Sequence, residues 1–155
     1  MAQSPLQLKT YSYPHILCEA DLDFDSGRKT VSSNLVVEVR TSLNPHPENR
    51  REWRVILDIL AVSPDRSIPY KIDLQVIGFF EVDPTIPEEK IADLVRINGA
   101  SILYSGAREF VLGITSRGPW PAVPLPTISF VEPDQKEPPE KRKTPQKAKP
   151  AQKTK

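Results

Sequence analysis

Chemistry in this 155-residue chain would have to begin with His15, His46, the single cysteine Cys18, and the alternating acids Asp21, Asp23 and Asp25. Neither histidine has a partner at metal-ligand spacing. One thiol excludes both an internal disulfide and a zinc site built from several thiolates. His15 shares a face of an extended segment with Glu19, which turns Cys18 away and leaves no Cys-His dyad for nucleophilic catalysis. His46 lies between Pro45 and Pro47 and reads as a solvated loop residue. The three aspartates alternate with Leu22 and Phe24 as ligands of a hard cation would, but the glycine and closing glutamate of a calcium loop are missing. They read as a solvated strand edge. Arg108-Glu109 is an adjacent charged pair of the structural or solvent-facing kind, and no GxGxxG, phosphate-binding loop, HExxH or GxSxG is present. The expectation is a protein with no catalytic centre, no metal site and no cofactor.

The elements that would position any site are clearer. From Ser32 to Leu43, Leu35, Val37 and Val39 alternate against Asn34, Val36, Glu38 and Arg40, the period of a strand with one buried face. Glu52 to Val62 places Trp53, Val55, Leu57, Ile59 and Ala61 on one face, and the polar, proline-bearing link before it reads as a hairpin loop. Tyr70 to Val82 repeats the pattern with Ile72, Leu74 and Val76, and Gly78 predicts a bulge or bend. Leu6 to Leu22 alternates more weakly, and Pro14 confines it to an edge or bulged strand. After Pro84 the period becomes helical. Pro87 is placed at the first helical position, Glu88 and Glu89 in the first turn, and Ile91, Leu94 and Val95 on one face. Gly99 predicts a weak or bent point, after which Ile102, Leu103, Phe110, Val111 and Ile114 continue the stripe to Gly118-Pro119. The fold class is therefore α+β, a four-stranded antiparallel sheet packed by a long interrupted helix. The following segment, GPWPAVPLPTISF, has too many prolines for a helix and predicts an extended path over the surface.

Length and 38% hydrophobic content allow one domain with one core. No apolar run approaches the roughly 20 residues of a membrane helix, and Met1 to Lys9 shows no secretory signal pattern, so the expected location is cytoplasmic. The net charge of +1 divides unevenly: residues 132–155 hold eight Lys/Arg and four Asp/Glu, a net of +4, leaving residues 1–131 at −3. With five prolines and no large apolar group, 132–155 reads as a disordered basic tail appended to a domain of residues 1–131.

One stretch carries a family resemblance. Ile102, Leu103, Tyr104, Ala107, Arg108, Glu109, Arg117, Gly118, Trp120, Pro121, Leu125, Pro126 and Phe130 match, in order, the signature of the SecB family of export chaperones. Gly78-Phe79-Phe80 resembles that family's glycine-bearing fourth strand, and the likeness covers about residues 6–131. The resemblance implies an ATP-independent holdase that keeps clients unfolded, assembled as a homotetramer, a dimer of dimers. The client groove it implies would take its apolar lining from the proline-rich segment, through Trp120, Val123, Leu125 and Ile128. Trp120, between Pro119 and Pro121, is the strongest of these, having little freedom to fold back.

The chain departs from the family in three places. Val131 leads into EPDQKEPPEKRK, which cannot form the family's second helix. Of the acidic positions that dock the SecA motor, Glu19 and Asp73 keep an acid, while His15 and Lys71 do not, so SecA coupling is expected to be weak. The tail is basic where the family's is acidic. Clients are thus unfolded polypeptides, preproteins for export on the first reading, or one dedicated client such as an antitoxin in a toxin-antitoxin-chaperone system. A reading from another class is nucleic-acid binding through the Lys-rich tail.

Overall fold

A computed structural model describes residues 3–25, 27, 35–64 and 66–131. Four strands, β1 (Leu6–Ala20), β2 (Val36–Pro45), β3 (Glu52–Val62) and β4 (Tyr70–Val82), are followed by α1 (Glu88–Leu94), a π-helical segment (Val95–Gly99) and α2 (Ala100–Thr115). The sheet has the order β1-β4-β3-β2, and every neighbouring pair is antiparallel. This is the α+β architecture that the two periodicities require. The start of the second predicted strand, from Ser32 to Asn34, and the tail 132–155 lie outside the described residues.

The core forms where the inner faces of β3 and β4 meet the helix. Val55, Leu57, Ile59 and Ala61 alternate inward from β3, and Ile72, Leu74, Val76, Phe80 and Val82 do so from β4. The helical layer contributes Ile91, Val95, Ala100, Leu103, Tyr104, Ala107 and Val111. Each fully buried Leu or Ile in such a layer is worth about 1.5–3 kcal/mol relative to exposure.

Three local expectations are corrected. Gly78 makes no bulge: the alternation of β4 runs straight through it. Its lack of a side chain answers a different need, since a Cβ there would lie 2.6 Å from Leu103 Cδ2 and 2.9 Å from the Phe80 ring. The bulges fall on β1, between Leu8 and Thr10 and, as Pro14 predicts, between Ser12 and His15. There Tyr13 stacks on Phe110 of α2 with ring centroids 4.4 Å apart, and burial pushes its hydroxyl pKa up to about 12. Pro87 is the cap residue before α1, at φ −59° and ψ 141°, one position earlier than expected. Ile102 faces outward, 38% exposed, because the buried stripe of α2 is Ala100, Leu103, Tyr104, Ala107, Val111 and Thr115. The expected interruption near Gly99 is the π-helical segment itself, one wider turn that changes the phase of the apolar stripe between α1 and α2.

Asp21, Asp23 and Asp25 follow the end of β1 in a turn, not on a strand edge. Asp21 accepts two hydrogen bonds from Arg66, Nε to Oδ2 at 2.7 Å and Nη2 to Oδ1 at 2.6 Å, and one from the Asp23 amide. Arg66 has a left-handed φ of 55°, which this fork helps to hold. The Arg66 hydrogen bonds keep the Asp21 carboxyl below the usual carboxylate value. A depressed carboxylate pKa gives stability that is present above the unfolded value and lost as pH falls through the folded one. The melting temperature of the unaltered chain is accordingly expected to fall more steeply between about pH 4 and pH 2 than that of Asp21→Asn. Parallel acid limbs in the two thermal titrations would remove the pair from the stability of this turn.

Candidate client-binding surface

The proline-rich segment after α2, residues 119–131, is built into the domain by its main chain. With prolines at 119, 121, 124 and 126, it lacks the amides needed to join the sheet, and its carbonyls must find donors elsewhere. A row of side chains supplies them. The buried Tyr70 hydroxyl accepts from the Trp120 amide at 3.2 Å and shares its proton between the Thr115 and Trp120 carbonyls at 3.2 and 3.1 Å. Thr115 Oγ1, fully buried, donates to the Val111 carbonyl at 2.8 Å and accepts from the Val123 amide at 3.0 Å. Arg108 Nε donates to the Leu125 carbonyl at 3.0 Å, Tyr104 Oη to the Pro126 carbonyl at 2.8 Å, and Arg96 Nη1 to the Phe130 carbonyl at 3.1 Å. Read from Thr115 back to Arg96, these donors fix an extended strap running antiparallel to the helix.

Gly118 permits the start of the strap, since a Cβ there would fall 2.2 Å from the Tyr70 hydroxyl. Arg117 turns back to the Gly113 carbonyl, capping the helix end. Arg108, offered at first as half of a charged pair, is thus a strap anchor, while Glu109 is exposed.

The four residues expected to line a groove are placed unequally. Val123 and Leu125 point into the core, 7% and 1% exposed, and are not available as lining in this chain. Alternation along the extended strap sends them inward, under carbonyls fixed from above. Ile128 is half-buried. Trp120 is half-buried too and, against expectation, does fold back: its Nε1 donates to the Asp21 carbonyl at 2.9 Å and its ring meets Phe24 edge-on at 5.3 Å. Phe130 closes the strap edge-on to Tyr104 at 5.9 Å.

On the opposite face of the sheet, Glu19 and Asp73 are near neighbours on β1 and β4, because Leu17 pairs with Asp73 and Glu19 with Lys71. Each acid has a base beside it: Lys71 lies across from Glu19, and His15 Nε2 is 3.6 Å from Asp73 Oδ1. The surface is therefore mixed in charge. Cys18 pairs with Ile72 on the inner face, away from His15, and burial pushes its thiol pKa up, the reverse of what a nucleophile needs. His46 does more than meet solvent, since its Nδ1 accepts from the Glu48 and Asn49 amides at 3.2 Å each and shapes the β2–β3 loop. Among the described residues no group of three His, Cys, Asp or Glu is arranged to hold a metal ion, and no helix is long and apolar enough to cross a membrane.

Sequence reasoning missed Tyr70, Tyr104, Arg108 and Thr115 as the strap's anchors. The signal was present: a segment with four prolines has carbonyls in need of donors, and Tyr and Arg on the preceding helix are the long donors within reach.

A four-stranded antiparallel sheet covered by one long interrupted helix is the SecB-like fold. The SecB-like chaperone of Mycobacterium tuberculosis, solved in complex with a peptide from the HigA1 antitoxin, superposes with a TM-score of 0.61 at 15% identity, covering 81% of this chain and 91% of that one. A Streptococcus agalactiae protein of unknown function aligns with a TM-score of 0.49 at 16% identity, covering 81% of this chain and 100% of that one. No curated protein matches the sequence. The family model described as preprotein translocase subunit SecB matches residues 22–135, and the chain belongs to the SecB family, whose members are chaperones and not enzymes.

Proposed function

We propose that this chaperone is an ATP-independent holdase, binding unfolded polypeptides, preproteins for Sec export among them, in the cytoplasm. The SecB family match over residues 22–135 carries the reading. By the same resemblance it assembles as a homotetramer, a dimer of dimers, through sheet edges and the long helix. SecA contact at Glu19 and Asp73 is weak in this proposal, because Lys71 and His15 stand beside them. One observation favours a second reading: a structural neighbour was solved with an antitoxin peptide, which supports a chaperone dedicated to one antitoxin client. A toxin-antitoxin gene pair beside this one, and co-purification with that antitoxin alone, would select it.

Within this reading the exposed sides of Trp120 and Ile128 belong to the client surface. Truncating a hot-spot tryptophan costs on the order of 2 kcal/mol of binding. Trp120→Ala is expected to weaken suppression of client aggregation, measured by light scattering without ATP, while the cooperative melt persists at a lowered temperature because the Asp21 bond is lost. Unchanged suppression would place the client surface elsewhere, and loss of the folded state would make Trp120 a core residue.

A further inference from the structure

The strap is fastened to the helical layer and to Tyr70 through its main chain, but the indole of its tryptophan is fastened elsewhere. Trp120 reaches the turn that follows β1, 99 residues earlier in the chain, where its Nε1 donates to the Asp21 carbonyl at 2.9 Å. The same oxygen accepts the Phe24 amide at 3.2 Å. One atom therefore places two aromatic rings, and they meet edge-on with centroids 5.3 Å apart and planes at 66°. Asp21 has little room to drift. Its amide donates to the Pro69 carbonyl at 2.8 Å, and its carboxylate holds the Arg66 fork and the Asp23 amide.

The core does not account for Phe24. The side chain is half-buried, yet it is not among the apolar groups that pack against the core, whereas Trp120 is. Its ring contact is the indole of Trp120. Leu22, on the same turn, is 78% exposed, and Asp23 and Asp25 on either side of Phe24 are exposed as well. Were the turn there to complete the domain, its two apolar side chains would point into the core. Instead one stands in solvent and the other covers a residue of the strap.

We propose that Phe24 is a built-in competitor for the client surface: its ring covers the part of Trp120 that a bulky apolar side chain of an unfolded polypeptide would take, and a client binds by displacing it. The inference rests on the holdase reading with Trp120 in the client surface, and it adds the regulation of that surface. An indole offers ring area without sequence readout, so aromatic and branched apolar groups of many clients can replace one phenylalanine on it. The Asp21–Arg66 fork fixes the main chain of the turn and not the ring. Phe24 can thus swing out while its tether stays in place, and between two acids it remains soluble when it does. In the empty chaperone the contact shields apolar surface that would otherwise invite association between copies. Client affinity is lowered by the fraction of time for which the contact is open.

The probe is a fluorescein-labelled protein kept unfolded by reduction and carboxymethylation, titrated by anisotropy without ATP. Phe24→Ala is expected to bind it about threefold to tenfold more tightly than the unaltered chain, the range that one aromatic pair covers. Leu22→Ser changes a side chain of the same turn that stands in solvent, and its affinity should stay at the unaltered value. In a Trp120→Ala background Phe24→Ala should bring no gain, because the surface it uncovers is gone. Unchanged affinity of Phe24→Ala, an equal gain from Leu22→Ser, or a gain that persists without Trp120 overturns the proposal. Weaker binding by Phe24→Ala overturns it too, and makes Phe24 part of the client surface. A second measurement needs no truncated ring: with fluorophenylalanine placed at Phe24 alone, the fluorine resonance is expected to move to its solvent-exposed position as the probe saturates the chain. A resonance that stays in place sinks the idea even where Phe24→Ala does not fold. Failure of the unaltered protein to hold any unfolded client removes the holdase reading and this inference together. Retained holding with indifference to Phe24 removes the competitor alone.

Discussion

Leu125→Ala is expected to lower the stability of the domain by about 2–5 kcal/mol, the cost of emptying a fully buried leucine site. Leu125 is 1% exposed, and its position is fixed from both sides. Its carbonyl is tied to Arg108, and the next carbonyl, of Pro126, to Tyr104. The strap therefore cannot slide to refill the space, which favours the upper part of that range. Urea denaturation gives the loss directly, and client binding below the transition should stay near that of the unaltered chain. A variant that melts as before but no longer suppresses aggregation would return Leu125 to the groove that the sequence first suggested.

The second large effect is expected at Gly118. Adding one methyl group there places a carbon about where the Tyr70 hydroxyl now sits, at 2.2 Å. That hydroxyl cannot move without leaving Trp120 and Thr115, three contacts made by one atom in a buried place. Overpacking of this kind costs about 1–3 kcal/mol, and a buried polar group left unsatisfied adds about 1–3 kcal/mol more. Gly118→Ala should thus lose about 2–6 kcal/mol, with hydrogen exchange at the Trp120 and Val123 amides accelerated beyond that of the β3 and β4 amides. Uniform acceleration across the domain would mean that the strap is not released as a unit. Tyr70→Phe combined with Gly118→Ala should cost little more than Gly118→Ala alone, because the hydroxyl is already displaced.

The contrast between these residues and the first reading of them shows what the sequence carried. The faces of β3 and β4 were plain because a period of two admits one buried set, and Val55, Leu57, Ile59, Ile72, Leu74 and Val76 all fill it. Pro14 marked β1 as an edge or bulged strand, because a missing amide is tolerated in such places, and β1 is both. Gly78 and Gly99 were recognised as special, but a glycine does not say whether it serves a bend or a close approach. At Gly78 the close approach of Leu103 decides, and only the packed helix reveals it. The signature from Ile102 to Phe130 identified the family, and within that stretch Trp120, Val123, Leu125 and Ile128 were read as client lining. In the structure Tyr104, Arg108, Gly118 and Leu125 hold the strap in place. Side-chain direction along an extended, proline-broken segment depends on where its carbonyls are tied, and those ties cross between elements.

That manner of attachment has an evolutionary corollary. The strap is fastened mainly at backbone atoms, at Trp120, Val123, Leu125, Pro126 and Phe130. Ala122, Pro124 and Thr127, between the fastenings, point to solvent. Mutation at those three positions can change the chemical character of the surface, its charge, bulk or aromaticity, without loosening an anchor. The segment is in this respect a display loop on a fixed frame, in which surface chemistry and folding depend on different residues. A library varied at 122, 124 and 127 alone is expected to keep nearly constant stability, and on the proposed client surface it would vary client range.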